Sequence, residues 1–233
     1  MVFQRGSCKS GSVSKLVKNA ELTKARILEA AENEFADKGI YGARVDTIAK
    51  MAMANKQLIY AYFGSKEQLY IKVLERIYER VTEIDRQFIA DPEDPETAFR
   101  DIIKKYFEFL SKDTNFVKLV MWENLNEGKY LFASNATDIK DYSIKSIRHI
   151  LETGMRRGVF RANLDIEETI LSMNMFVFSY FSNIYTMSKI MHTDYFKPER
   201  ILKRADYLTD LLLNSIVDKS EKFNQTEKAT SHL

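Results

Sequence analysis

Apolar residues recur at every third or fourth position along most of this chain, and little interrupts them. Tyr70, Leu74, Ile77, Tyr78, Val81, Ile84 and Phe88 make one such stripe, and Ile27, Leu28, Ala31 and Phe35 make another. That period places apolar side chains on one face of a helix, whereas a half-buried strand needs strict alternation. Only 8 Gly and 3 Pro occur in 233 residues, so long helices can run unbroken. No internal repeat and no credible strand pair is present, since Val159-Phe160-Arg161 is too short to count as a strand. The expected fold class is all-α.

The punctuation of the chain sets the helix limits. A first helix is expected over about 22–38, stopped by Gly39, and two short helices over about 45–52 and 55–62. A long helix follows over about 66–89, broken by the run Asp91-Pro92-Glu93-Asp94-Pro95. Asp94 can cap the next helix with Pro95 at its first position, and that helix reaches about residue 110. Further helices are expected over about 113–126 and about 136–156, the latter stopping at Gly158. Another starts at Asp165 and runs to about 190, and the last starts at Pro198 and runs to about 217.

Residues 44–66, RVDTIAKMAMANKQLIYAYFGSK, carry the most chemistry. Val45, Ile48, Ala49 and Ala52 give one helical stripe, and Ala54, Leu58, Ile59 and Tyr62 a second. Ala49 is small where a second helix must cross closely. Asn55 stands where that second helix needs a cap, and Ser65-Lys66-Glu67-Gln68 reads as a capping box for the next one. Four basic residues (Arg44, Lys50, Lys56, Lys66) against Asp46 give the stretch a charge of 4 − 1 = +3. This is the footprint of a helix-turn-helix that reads DNA. Lys56 and Gln57 lie near the start of the reading helix, where base edges are easiest to reach; Gln57 suits adenine and Lys56 guanine. Arg44, Asn55, Tyr62 and Lys66 fit phosphate contacts, and Thr47 joins the candidate DNA-binding set. Tyr60 can pack its ring on the first helix while its hydroxyl reaches a phosphate, the other reading being a core tyrosine. Ile59 and Phe63 form the structural side.

The segment resembles the DNA-binding domain of TetR-family (tetracycline-repressor-like) transcriptional regulators. The resemblance covers roughly residues 21–69 and rests on Ile27-Leu28-x-Ala30-Ala31-x-x-x-Phe35, Lys38-Gly39, Ile48-Ala49, Tyr60-x-Tyr62-Phe63 and Ser65-Lys66-Glu67. Two departures stand out. Met53 occupies a turn position usually held by Gly, where a left-handed backbone costs a non-glycine residue roughly 1–2 kcal/mol. Arg44 stands where the family often has Ser or Thr, and arginine caps poorly but contacts phosphate well. The resemblance implies an N-terminal helix-turn-helix DNA-binding head followed by a C-terminal helical ligand-binding and dimerisation domain.

The bulk numbers agree. A chain of 233 residues exceeds a lone helix-turn-helix unit and leaves room for a second domain of roughly 150 residues. The boundaries expected are 1–20 for a disordered basic arm, 21–66 for the head, 67–217 for the effector and dimerisation domain, and 218–233 for a flexible tail. The arm reads either as a leader or as a minor-groove DNA arm. Residues 1–70 hold 11 Lys/Arg and 7 Asp/Glu, a charge of +4, so the remainder carries +2 − 4 = −2. A basic head on a slightly acidic body suits DNA binding at one end. Cys8 is the only cysteine, no apolar run is long enough to span a membrane, and no signal-peptide core precedes the first helix. A cytoplasmic location is expected, without membrane association.

Other chemistry finds little support. His149, His192 and His232 have no metal-ligand partner at helical spacing, and no nucleophile elbow or phosphate-cradling glycine loop is present. Glu123 and Glu127 share a helix face, which reads as solvated rather than as an acid/base pair. No catalytic residue, metal or cofactor is expected. Dense aromatics after residue 99 are compatible with an apolar pocket, for which Trp122, Asn126, Phe176, Ser179 and Asn183 are the candidate ligand contacts, with Asn174 a further polar anchor. The helix at 166–187 is apolar on most sides: Ile166, Ile170, Met173, Val177, Phe181 and Ile184 form one stripe, and Leu171, Met175, Phe178 and Tyr185 another. Such a helix should pack on its own domain and on something else, and with the last helix it can form a four-helix dimer interface.

The expected protein is therefore a homodimeric repressor, released from a palindromic operator on double-stranded DNA by a small, apolar or aromatic effector. The alternative is a helical ligand-binding or scaffold protein that has lost operator binding.

Overall fold

The computed structural model describes residues 10–88, 92–134 and 136–218. Among them are eleven helices: α1 (Ser10–Gly42), α2 (Val45–Met51), α3 (Lys56–Phe63), α4 (Lys66–Arg86), α5 (Pro95–Lys112), α6 (Thr114–Leu125), α7 (Lys129–Phe132), α8 (Ala136–Arg156), α9 (Ile166–Ser182), α10 (Ile184–Ile190) and α11 (Pro198–Ile216). The only strand-like pairing among the described residues is a single antiparallel bridge between Phe160 and Val217.

The punctuation works largely as the sequence predicts. Gly39 adopts φ 63° and breaks α1, so the continuous helix ends where expected. Asp94 caps α5, accepting from the Glu96 and Thr97 N–H groups at 3.0 and 3.3 Å, with Pro95 at the first helical position. Asp165 caps α9 through the Glu168 N–H at 3.1 Å. Three differences appear. First, α1 begins at Ser10, so residues 10–20 of the expected disordered arm are helical; residues 1–9 of that arm, and 219–233 of the expected tail, lie outside the described residues. Second, the helix expected to run to about 190 breaks at Asn183 (φ −110°, ψ 8°). The Ser179 carbonyl there accepts from both the backbone N–H of Asn183 and its side-chain Nδ2, at 3.2 and 3.0 Å, a local bond that competes with helix continuation. Third, α7 is a short helix that no sequence signal announced.

The chain divides into two compact units, which are not a simple cut at residue 66. The head comprises the residues up to Arg76 together with Lys118–Ser134, and the body comprises Ile77–Val117 and the residues from Asn135 onward. Aromatic packing explains why 118–134 belongs to the head. Tyr70 stacks edge-on with Phe35 and with Tyr130, at centroid distances of 5.0 and 5.3 Å. The Trp122 indole N–H donates to Ala36 O at 3.2 Å and its ring lies against Gly39, where a Cβ would come within 2.8 Å of the ring. Lys118 Nζ meets Asp37 Oδ1 at 2.6 Å and holds that carboxyl below the usual carboxylate range.

In the body, α5 is the central helix, packing on α8, α9 and α11. Its Phe99, Ile102, Ile103 and Phe107 are almost wholly buried. A polar tie runs through this core: Tyr106 Oη donates to Asp85 Oδ1 at 2.6 Å, and Ser146 Oγ donates to Asp85 O at 3.0 Å. Buried polar groups are tolerated when they are hydrogen-bonded in this way.

Candidate nucleic-acid interface

The helix-turn-helix is built by two helices that start in different ways. At the start of α3, Asn55 is extended (φ −96°, ψ 157°) and its Oδ1 accepts from the Leu58 N–H at 2.7 Å, a side-chain cap of the expected kind. At the start of α2, Arg44 is also extended but supplies no side-chain cap. Its own backbone N–H instead donates to Glu34 Oε1 of α1 at 3.0 Å. Glu34 thus ties down the backbone at this junction from ten residues upstream and leaves the Arg44 guanidinium uncommitted to capping. No local spacing marks Glu34 for this role, and the sequence reading missed it.

The turn between the helices is left-handed, as its geometry requires. Met53 has φ 49°, and the Ala54 N–H donates back to Ala49 O at 2.9 Å. That pattern closes the last turn of α2 in the way a C-terminal glycine normally does. Met53 is 78% exposed, so its side chain meets no obstacle and the departure from Gly leaves the turn intact. Met53 therefore gives no geometric ground for a lost operator function.

Burial sorts the remaining positions. Ile48 and Ile59 are 0% and 1% exposed and pin the two helices to the head core. Lys56, Gln57 and Tyr60, by contrast, are exposed on the first two turns of α3. Tyr60 at 40% exposure is not a core tyrosine. Thr47 and Tyr62 are half-buried, and Arg44 and Asn55 are exposed. Lys24 of α1 places its Nζ 5.5 Å from the Tyr62 ring centroid, adding a cation beside the reading helix that the motif alone did not reveal.

Lys56 is not idle. Its Nζ meets both carboxylate oxygens of Asp46 at 3.0 Å, and that hydrogen bond and charge hold the lysine above its usual pKa. An exposed ion pair of this kind contributes little to stability, so a phosphate or a guanine edge can take the lysine from it. Lys66 opens α4 beside Ser65, whose Oγ accepts from the Gln68 N–H at 3.1 Å. The expected capping box is half formed. The reciprocal bond is missing, since the Ser65 N–H donates to Phe63 O at 3.0 Å; the Glu67 carboxyl is instead held low by its own backbone N–H and by the Ser65 hydroxyl.

The candidate effector contacts fall in both units. Trp122 and Asn126 lie in the head, and Trp122 is committed to the Gly39 and Ala36 contacts. Phe176, Ser179 and Asn183 lie in the body, on or just beyond α9. Glu123, expected on a solvated face, is 2% exposed; its Oε2 accepts from the Tyr130 and Leu131 N–H groups at 3.1 and 2.8 Å and so caps α7. Its burial follows from that role. Among the described residues, cavities open in the body. One, of about 80 Å³, is walled by Val81, Tyr106, Phe109, Leu110, Phe116, Met173, Asn174, Val177 and Phe178. Another, of about 360 Å³, includes Ser179 and Asn183.

A capped helix-turn-helix with an exposed, cationic reading helix, joined to an all-helical body, defines a DNA-binding transcriptional regulator. Residues 27–73 match the family described as "Bacterial regulatory proteins, tetR family", and residues 95–212 match "Tetracyclin repressor-like, C-terminal domain". The chain belongs to the TetR family. It is similar to the HTH-type transcriptional repressor NicS of Pseudomonas putida, with 30% identity over 198 residues, 84% of this chain and 93% of that protein. Its fold matches the crystal structure of the transcriptional regulator SCO4942 from Streptomyces coelicolor at a TM-score of 0.65 and 25% identity, over 83% of this chain and 98% of the other. It also matches that of the regulator FadR from Bacillus subtilis in complex with stearoyl-CoA, at a TM-score of 0.65 and 19% identity, over 81% and 97%. Among the described residues, no helix is long and apolar enough to cross a membrane.

Proposed function

We propose that this regulator is a cytoplasmic homodimeric repressor, without catalytic activity, that leaves a palindromic operator when a small molecule binds its body. The observation that carries the DNA reading is the exposure of Lys56, Gln57 and Tyr60 on a helix whose Ile59 is anchored in the core. Lys56 and Gln57 read base edges, while Arg44, Thr47, Asn55, Tyr60, Tyr62 and Lys66 hold phosphates and fix the register.

Dimerisation is supported by the second apolar stripe, which runs over α9 and α10. Leu171, Met175 and Tyr185 are 49%, 59% and 72% exposed in the single chain, although the first stripe (Ile170, Met173, Val177, Phe181) is buried. Tyr207 and Leu211 of α11 are exposed as well, so both helices offer an apolar surface for a second copy.

The effector reading rests on the smaller cavity. At about 80 Å³ it falls short of the several hundred Å³ that ligand pockets commonly occupy, so an effector must push its walls apart. Val81, one of those walls, belongs to α4, which runs unbroken from Lys66 to Arg86 and whose first residues lie in the head. An apolar or aromatic ligand that displaces Val81 therefore acts on the helix that leads to the reading motif. It lowers DNA affinity only if it binds the DNA-incompetent state more tightly. The similarity to a protein named a repressor favours repression, and one fold relative, FadR, is seen in complex with stearoyl-CoA, whose acyl chain is long and apolar.

Selection of bound sequences from a random DNA pool tests the reading. We expect an inverted repeat whose half-sites lie about one helical turn, on the order of 34–36 Å, apart. Absence of any enriched sequence at low salt overturns it.

A further inference from the structure

The break at Asn183 does more than shorten α9. It separates α9 from α10, and the chain that follows is tied back to both: the Tyr195 N–H donates to Ser188 Oγ at 3.2 Å, and Tyr180 Oη donates to Tyr195 O at 2.8 Å. The result is the cavity of about 360 Å³, within the range that small-molecule sites occupy. Its walls combine two aromatic rings (Tyr180, Tyr195), two aliphatic side chains (Ile184, Met187) and the polar pair Ser179 and Asn183, with Arg204 of α11 completing the lining. None of these residues lines the smaller cavity.

Charge distinguishes this groove from an unfilled gap. The nearby acids of α11 are already engaged: Asp206 pairs with Lys104 at 3.4 Å and Asp210 with Arg100 at 2.8 Å. Among the described residues no carboxylate forms an ion pair with Arg204, whose guanidinium lies 5.8 Å from the Tyr207 ring centroid. Burial and the neighbouring Tyr195 push the Tyr180 hydroxyl above its usual pKa, while the positive charges of Arg204 and Arg200 act in the opposite direction. Arginine in a partly desolvated site is the side chain suited to a carboxylate or sulfonate, because its planar fork donates two parallel hydrogen bonds.

We propose that this groove is a second ligand site, which takes an organic monoanion with a flat apolar body. The body lies against Tyr180, Tyr195 and Met187, the anionic group meets Arg204, and Ser179 and Asn183 supply hydrogen bonds to any polar substituent. The site depends on neither the operator nor the effector reading given above.

Fluorescence titration of the full chain tests it, with the aromatic sulfonate anilinonaphthalene sulfonate beside its uncharged analogue phenylnaphthylamine. The parent should bind the sulfonate saturably. Arg204→Ala should weaken the sulfonate by about tenfold or more and leave the neutral dye unchanged, because a charge-assisted bond is lost and the apolar walls remain. Arg204→Gln keeps the stem and should give the same split should the alanine variant not fold. Ser179→Trp, at an exposed position, should fill the groove and abolish both. Sedimentation and circular dichroism of each variant identify losses that stem from altered assembly or folding. Equal weakening of both dyes by Arg204→Ala, or unchanged sulfonate binding in either the Arg204 or the Ser179 variant, overturns the proposal.

Discussion

The reading helix of the head and the outer face of α9 and α10 in the body expose opposite kinds of surface. On the head, the side chains that stand out on α3 are Lys56, Gln57 and Tyr60, each offering a polar group. On the body, those that stand out on α9 and α10 include Leu171, Met175, Tyr185 and Ile190. Polar groups on a rigid helix suit a charged, hydrated partner, whereas a contiguous apolar surface is stable only when something covers it. The contrast extends to how each unit is held. The head depends on a few aromatic wedges and helix caps around a small core, and the body on a large interior centred on α5. Head function should therefore separate from head stability one residue at a time.

The largest effect we expect falls on the head alone. Gly39→Ala forces a side chain into a left-handed backbone at φ 63° and brings its Cβ to 2.8 Å from the Trp122 ring. Left-handed strain costs about 1–2 kcal/mol and overpacking about 1–3 kcal/mol, so we expect roughly 3 kcal/mol of destabilisation in total. Hydrogen exchange followed by mass spectrometry should show lost protection in α1 to α3 and in α6, with α5 and α11 unaffected. Uniform loss across the chain breaks the comparison, since it means the two units melt as one.

Next in size is a change that should leave stability alone. The double variant Lys56→Ala, Gln57→Ala removes two exposed side chains and no core contact. We expect a loss of specific DNA affinity of about a hundredfold for the pair, each good base contact contributing roughly tenfold. The thermal midpoint should stay within about 1 °C, as is usual for substitutions away from the core. A fall in the midpoint as large as the fall in affinity would place these residues in the framework of the head and not on its reading surface.

How far the sequence could carry this contrast depended on the range of each interaction. Caps and stops are local, so Gly39, Asn55, Asp94 and Asp165 were legible from spacing alone, as was the period that makes the chain all-α. The second stripe of α9 was legible too, because a helix apolar on two faces shows as such in one dimension. What failed was long-range. Nothing near Trp122 shows that its indole meets Ala36 and Gly39, more than eighty residues away in sequence. Glu123 read as solvated because the α7 N–H groups it caps belong to a helix of only 4 residues, too short to have a period. Glu34 and Asp46 shape the reading helices from ten residues away in each case, a separation that no helical repeat encodes. The break at Asn183 was a contest between a polar side chain and a strongly apolar run, and the run alone pointed to continuity.

The smallest effect we expect is a gain, and it concerns one of the two positions where the head departs from its family. Met53 holds a left-handed backbone at φ 49° with its side chain 78% exposed. Replacing it by glycine relieves a strain of roughly 1–2 kcal/mol, while the added freedom of glycine in the unfolded chain returns about 0.4–1 kcal/mol of that. Met53→Gly should therefore stabilise the head by about 0.5–1 kcal/mol in denaturant unfolding. Almost no packing is lost, so the sign depends on the backbone alone. DNA affinity provides the sharper reading. If it stays constant, methionine is a tolerated strain in a turn that only connects two helices. If it falls while stability rises, the side chain touches DNA, and an apolar residue belongs to the reading surface of the head, which would narrow the chemical contrast between the two units.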